Sequence, residues 1–355
     1  MSTPAPIGIG ALAPLSRPGW VEAGRHLLAG IELAVREVNG TGGIHGRPLE
    51  LTVRDTAADP QRAEAAVEEL AALGMTALVG EYHSVVARAV AARADALGVP
   101  FLCSSAVLDA LTDRPTDLVA RIAPAQSHSW RVFADFLLAA GHRHLAAAVD
   151  PSVYWTSGIA VLRSHLAPNG GTVTEWAAAD LDPAALADSG ATALLLLTSV
   201  PDRAAQLVRT LRHDPRLAGL LIGAPAGQPE FSDWAEQLGP DGDAVPFLRY
   251  LPAHPTPRQA ATEAQLRHHL AAAPSFVAFE GHDTVTALAE ALRTHGTDRA
   301  HLTAALPHLT AEGTRGTVRF DRVPGIGVHQ WAWPPVQVVQ RDPSAPDGFR
   351  VLHQG

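Results

Sequence analysis

Hydrophobic and polar positions along this chain keep exchanging two rhythms, short buried runs of strand length and longer stretches with a helical period of about 3.6. Ile7-Gly8-Ile9-Gly10-Ala11-Leu12 is an apolar run. After a loop over Pro14 to Gly24, Ile31, Leu33, Ala34 and Val38 recur on one helical face until Asn39-Gly40. The chain turns through Thr41-Gly42-Gly43 and resumes as the strand Leu49-Glu50-Leu51-Thr52-Val53. This predicts a βαβ unit with parallel strands and a right-handed crossover. Ligands of open α/β sheets gather at the carboxyl ends of such strands, so Leu15 to Ala23, including Trp20, forms a candidate binding edge.

The alternation continues. A helix starts at Pro60 with Asp59 as its N-cap and runs to Leu73; Ala77 to Gly80 is a strand, Val85 to Leu97 a helix and Pro100 to Cys103 a strand. Asp109 to Asp117 reads as a short helix and loop, Leu118 to Ile122 as a strand, and Trp130 to Ala140 as an apolar helix. A second series follows: strand Leu145 to Val149, helix Gly158 to Leu166, strands Thr172 to Thr174 and Thr192 to Thr198, helix Asp202 to Arg212 and strand Leu220 to Ile222. Pro252 to Pro257 breaks the pattern. Helices Phe276 to Leu292 and Arg299 to Leu306 come next, then strands Gly316 to Phe320 and Trp331 to Gln340, with Trp331 and Trp333 alternating on one strand as packing or interlobe residues. The predicted class is α/β with two doubly wound parallel-sheet lobes, because one sheet of this many strands would be unusually wide.

Composition narrows the function classes. The chain has 355 residues, 47% hydrophobic and 18% charged, enough for a large core and roughly two domains. Its net charge is −9 with arginines scattered singly, which argues against nucleic acid as a partner. The single cysteine, Cys103, excludes an intramolecular disulfide framework and reads as a small buried residue rather than a nucleophile. No apolar run approaches the ~18 residues of a membrane span, so direct membrane insertion is not expected. The chain enters its first strand at Ile7, without room for a basic segment, an apolar segment and a cleavage site. As written it is expected to be cytoplasmic; a periplasmic protein or extracellular lipoprotein is expected if a leader was removed.

Motifs then point to a family. Gly30-x-x-x-Ala34, Asn39-x-x-Gly42-Gly43-Ile44-x-Gly46-Arg47-Pro48-Leu49, Asp55 with Asp59-Pro60, Val79-Gly80, Pro100 with Ser104, and Gly316-x-Val318-x-Phe320-Asp321 occur in this order. Together they resemble the leucine/isoleucine/valine-binding proteins of the type I periplasmic binding-protein fold, and in particular the amide- and urea-binding branch. The resemblance implies two lobes joined by a three-segment hinge, with crossings near Ile122 to Ala125, Tyr250 to Pro252 and Gly325 to Val328. Lobe 1 would be residues 1–122 plus 252–325, lobe 2 residues 123–251 plus 326–355, and the ligand cleft would lie between them. Such proteins bind and close; they do not catalyse.

The resemblance also marks site residues. Gly80-Glu81-Tyr82-His83-Ser84 follows a strand and precedes a helix, so Ser84, with Glu81 and Tyr82, sits where a helix N-terminus favours an acceptor. The matching serine in the family holds the ligand's carboxylate or carbonyl; the plainer reading of Ser84 is an N-cap. In Ser104-Ser105-Ala106-Val107 the last residue occupies the family's threonine position, removing a hydroxyl that would meet an α-ammonium. Tyr154 matches the tyrosine that covers the ligand. Trp155 replaces the usual glycine beside it, either as a stacking wall or as lobe packing. In Gly223-Ala224-Pro225-Ala226-Gly227 no carboxylate fills the place of the family's acidic residue. Glu81 and Glu280 are the carboxylates that could stand in, each with a solvated or capping role as the plainer reading. Trp20 lies where an aromatic often covers the ligand, although Ala23 occupies the nearest aligned slot.

Other chemistry is disfavoured. His142-x-His144 and His268-His269 lack carboxylate or cysteine partners at ligand spacing, so neither metal nor cofactor is expected. Thr41-Gly42-Gly43 lacks the lysine of a phosphate loop, and no Gly-x-Ser-x-Gly elbow occurs. The expected function is non-catalytic binding of a small amide-like, neutral or weakly polar molecule, an amino acid being less favoured. The partner would be an ABC permease or a regulatory protein. An enzyme or biosynthetic accessory protein that has recruited the cleft is the alternative.

Overall fold

The computed structural model describes residues 5–198, 201–345 and 347–355. β1 (Ile7–Ala13) leads into α1 (Val21–Gly40), β2 (Leu49–Asp55), α2 (Pro60–Ala72), β3 (Ala77–Gly80), α3 (Ser84–Ala96), β4 (Phe101–Cys103) and β5 (Val119–Arg121). Next come α4 (Gln126–Ala139), β6 (His144–Val149), α5 (Val153–Leu166), β7 (Thr172–Ala177), α6 (Pro183–Asp188), β8 (Ala193–Leu197), α7 (Pro201–Arg212), β9 (Leu221–Gly223), α8 (Ser232–Leu238) and β10 (Phe247–Arg249). The chain continues through α9 (Pro257–Leu270), α10 (Phe276–His295), α11 (Arg299–Ala305), β11 (Thr310–Glu312), β12 (Thr317–Asp321) and β13 (His329–Trp331), then β14 (Gln337–Arg341) and β15 (Phe349–Gln354).

Two compact units result. Unit 1 comprises residues 1–125 and 254–335, unit 2 residues 126–253 and 336–355. In unit 1 an eight-stranded sheet runs β2-β1-β3-β4-β5-β13-β12-β11, parallel except where β12 pairs antiparallel with β13 and β11. The sequence divides the chain for the third time at 325–328, but the division falls after Pro335. His329 and Gln330 pair with Ala120 and Arg121 of β5, which keeps β13 in the unit 1 sheet. Unit 2 holds a parallel sheet β7-β6-β8-β9 and a separate antiparallel sheet β10-β14-β15. The expected strand Trp331 to Gln340 is therefore two strands in different sheets, and Trp333, 82% exposed, lies beyond β13 rather than alternating within it. No helix forms over residues 109–117.

Local chemistry explains the helices that position the site. Asp59 caps α2 by accepting from the Gln61 and Arg62 amides, and Pro60 occupies the first turn, where its missing N–H costs nothing. One face of the unit 1 sheet is filled by α2 and α3, with Leu12, Val67, Leu70, Leu78, Val86 and Phe101 in one buried cluster. α1 packs against α10, and glycine makes the approach possible. A Cβ on Gly30 would stand 1.8 Å from the Ala278 carbonyl oxygen, and one on Gly281 2.3 Å from that of Leu27.

Both parallel sheets reverse strand order once. The first strand, β1, is flanked by β2 and β3; in unit 2, β6 is flanked by β7 and β8. At each reversal the two following loops run in opposite directions and leave a crevice beyond the carboxyl ends of the strands, the usual seat of ligands in such sheets.

Candidate functional site

In unit 1 the crevice is built by the loops after β1, β3 and β4. Trp20 stands immediately before α1, and its backbone N–H donates to His83 Nε2 at 3.1 Å. The Trp20 and Tyr82 rings meet edge to face at 5.9 Å, as do Tyr82 and His83 at 5.2 Å. Burial holds the His83 imidazole down at about 4, so at neutral pH the ring is uncharged and its Nε2 is free to accept.

Glu81 is neither solvated nor an ordinary helix cap. It is completely buried with φ at 60°, a left-handed conformation that a glutamate rarely adopts. Its carboxylate accepts from the Tyr82 and His83 amides, each at 2.9 Å, and from the Thr56 hydroxyl at 2.9 Å. Burial pushes its pKa up to about 7 against the pull of those three donors. Glu81 thus shapes the turn from β3 into α3.

Ser84 is the first residue of α3 and His83 the cap, with no side-chain cap hydrogen bond. The N-cap reading of Ser84 is therefore corrected. Its Oγ accepts from the Leu108 amide at 3.3 Å, linking α3 to the loop after β4. That loop contains Ser105, Ala106 and Val107, all buried, and Ser105 N–H donates to the Glu81 carbonyl at 3.3 Å. Cys103, at the end of β4, is also buried; burial pushes its thiol up to about 12, which suppresses the nucleophilic thiolate.

Behind these loops, Glu280 lies one turn into α10, where the sequence reading of a solvated or capping residue fails. It is completely buried and pairs with Arg315 at 3.4 Å. Arg315 also bonds Asp283 at 2.9 Å and lies over the Trp331 ring at 4.9 Å. Asp283 accepts in addition from the Thr314 amide and hydroxyl. Although burial opposes ionisation, His282, Arg315 and Thr314 hold Asp283 down at about 2. Burial pushes Glu280 up to about 7, with Arg315 pulling the other way.

In unit 2 the corresponding loop follows β6. Helix α5 starts at Val153, five residues earlier than its apolar pattern suggests, with Ser152 as N-cap accepting from the Tyr154 amide at 3.2 Å. Tyr154 and Trp155 consequently sit on the first turn. Trp155 is 4% exposed and forms an aromatic trio with Tyr154 and Trp130, at 4.6 Å and 6.3 Å. Trp130 meets Tyr154 edge to face at 6.0 Å, and Gln126 Nε2 donates to the Tyr154 carbonyl at 2.9 Å. Trp130 and Gln126 were not among the predicted site residues; their place on an apolar helix gave no local signal. Gly158 admits the Trp130 ring, whose nearest carbon would stand 2.3 Å from a Cβ there. Pro225 lies in the loop after β9, a strand that β8 separates from β6, so it does not join the trio.

The structure therefore gathers Trp20, Glu81, Tyr82, Ser84, Ser105, Ala106 and Val107 at one edge of unit 1, and Tyr154 with Trp155 in unit 2. Among the described residues no group of three or more His, Cys, Asp or Glu is placed to hold a metal ion. No helix among them is long and apolar enough to cross a membrane.

The profile of the periplasmic binding protein family matches residues 6–341. The chain belongs to this family. Its resemblance to a Leu/Ile/Val-binding protein homolog (number 8) of Brucella abortus is 29% identity over 134 residues, 38% of the chain and 33% of that relative. The matched stretch thus spans a third of the relative's length. The leucine-binding protein LivK of Thermotoga maritima superposes with a TM-score of 0.83 at 18% identity, covering 97% of each chain. A solute-binding protein of an ABC transporter from R. palustris, solved with 4-hydroxybenzoate, gives 0.82 at 19%, covering 98% of this chain and 96% of its own. These likenesses establish the two-lobed type I periplasmic binding-protein fold.

Proposed function

We propose that the protein binds a small neutral or weakly polar molecule, amide-like rather than an α-amino acid, without altering it chemically, and passes it to an ABC permease. The ligand would engage the loops after β1, β3 and β4 of unit 1; within unit 2 the residue we propose for ligand contact is Tyr154, with Trp155, 4% exposed, packing against it. Ser84 would meet the ligand's carbonyl with its O–H, since Leu108 uses only a lone pair of that oxygen.

One observation carries the preference against an amino acid: the carboxylates near the strand ends are already engaged. Glu81 is held by two amides and Thr56, Glu280 by Arg315, Glu230 by Arg249 at 3.0 Å and Asp150 by Arg203. Val107 adds no hydroxyl. An α-ammonium would therefore lose its water for carboxylates whose charge is already compensated, and a poorly paired buried charge is costly.

Thermal denaturation in the presence of amides, ureas, branched-chain amino acids and aromatic acids tests the reading. A ligand at a hundred times its Kd stabilises by about 2.7 kcal/mol, enough for a clear rise in Tm. Amides or ureas are expected to give that rise, and Ser84→Ala to remove it. A rise with leucine or isoleucine alone would reject the ligand class, and no rise with any compound would reject the binding function.

A further inference from the structure

Ser104 and Ser105 leave the carboxyl end of β4 and come directly against α10. The hydroxyls of Ser104 and Thr284 lie 2.9 Å apart, and Thr284 Oγ1 lies 2.7 Å from the Glu280 carbonyl one turn earlier. Beside them is the Glu280 carboxylate, held by a single oxygen: Oε1 accepts from Arg315 Nη1 at 3.4 Å. Arg315 is itself fixed by Asp283 and by the face of Trp331, in the turn where the Gly313 amide donates to the Gly316 carbonyl. Glu280 is 0% exposed, Arg315 2% and Ser105 5%. Among the described residues neither Glu280 Oε2 nor Ser105 Oγ has a partner at hydrogen-bond geometry. The Ser105 hydroxyl is nonetheless near enough to hold the Glu280 carboxyl down against its burial.

A carboxylate can only accept, whereas a serine hydroxyl has one hydrogen to give and two lone pairs. With Glu280 ionised behind it, the Ser105 hydrogen belongs to Glu280, and what Ser105 presents on its other side is an acceptor. We propose that Glu280, pinned by Arg315, is a positioning residue that sets Ser105 as an acceptor and so selects head groups bearing N–H, such as carboxamides, over carboxylates. This rests on the reading that the loop after β4 meets the ligand. A carboxylate arriving there would face a lone pair with a second negative charge behind it, while a carboxamide of the same shape would donate.

The Glu280→Gln substitution should reverse the arrangement. Arg315 can only donate, so it keeps the carbonyl oxygen of the substituted side chain and leaves the new amide NH2 turned toward Ser105. The Ser105 oxygen then accepts from that NH2 and points its hydrogen outward, which suits a carboxylate.

Titration calorimetry with benzamide against benzoate and butyramide against butyrate, at about pH 8.5 where Glu280 is ionised, tests this. The wild-type protein should bind the amide of each pair at least about tenfold more tightly, and Glu280→Gln should shrink that ratio by about tenfold or more. In a Ser105→Ala background the Glu280→Gln change should leave the ratio unaltered, because the effect is routed through the hydroxyl. A wild-type preference for the acids, an unchanged ratio in a folded Glu280→Gln protein, or a change that persists in Ser105→Ala would each overturn the inference. Should Glu280→Gln not fold by circular dichroism, Ser105→Ala alone decides: loss of amide preference supports it and an unchanged ratio overturns it. If the wild-type protein binds none of the four probes, this inference is overturned, while the binding function proposed above stands or falls on the wider thermal-denaturation screen.

Discussion

Glu81 shows how far burial changes the behaviour of one side chain at this end of the sheet. The unfolded chain releases its proton around 4.5, while the folded chain keeps it until about 7. The folded state therefore binds that proton more tightly, so the group's contribution to stability is full below 4.5 and is lost as pH rises from 4.5 to 7. Glu81→Gln keeps an acceptor for the Tyr82 and His83 amides and an NH2 for Thr56, with no charge to bury. Urea midpoints at about pH 5 and about pH 8 should show the variant gaining on the wild-type protein by up to roughly 3 kcal/mol across that interval. Parallel pH profiles would show that burial does not raise this carboxyl. None of this was legible along the chain, because the partner Thr56 lies 25 residues away and the left-handed backbone has no composition signal outside glycine and asparagine.

Between elements, α1 and α10 approach closely through glycines. Gly30→Ala would drive a methyl into the Ala278 carbonyl, a backbone atom that cannot swing aside, and should cost about 3 kcal/mol, the upper end of overpacking. Gly40→Ala, at the open end of the same helix, has nothing within 4 Å and should be neutral or stabilise by up to about 1 kcal/mol. Equal losses in the two variants, read from urea midpoints, would contradict the packing described here. Elements whose signals are local were readable: Asp59-Pro60 fixed the start of α2, and the apolar run of β3 was found with its bounds. Ser152 offered the same kind of cap signal for α5, but Gly158 suggested a later start and hid the helical placement of Tyr154 and Trp155. The short β13 could not be assigned to unit 1 by pattern, since only its pairing with β5 puts it there.

At the scale of the whole molecule, each unit is assembled from two separate lengths of chain. Unit 1 draws α10 from residues far beyond β5, and α10 covers the face of α1 that carries Leu27, Gly30 and Ile31. A chain cut after residue 253 should leave that face uncovered. Hydrogen exchange in the truncated chain should therefore be fast throughout α1, while the full chain protects it; native-like protection in the fragment would contradict the division. Two lobes were legible from the repeated strand and helix series, but the return of the chain was not, because long-range pairing leaves no mark on composition.

The sheet β10-β14-β15 has a further consequence for birth on the ribosome. β10 emerges long before β14, its hydrogen-bonding neighbour, and unit 1 is still lacking β11 to β13 during most of that interval. Neither unit can finish before its second length of chain is made, so unit 1 holds apolar surface open until β13 arrives and unit 2 until β14 and β15 follow. Nascent chains of this protein should depend on holding factors that shield such surface and fold late, with the two units completing within one short stretch of translation.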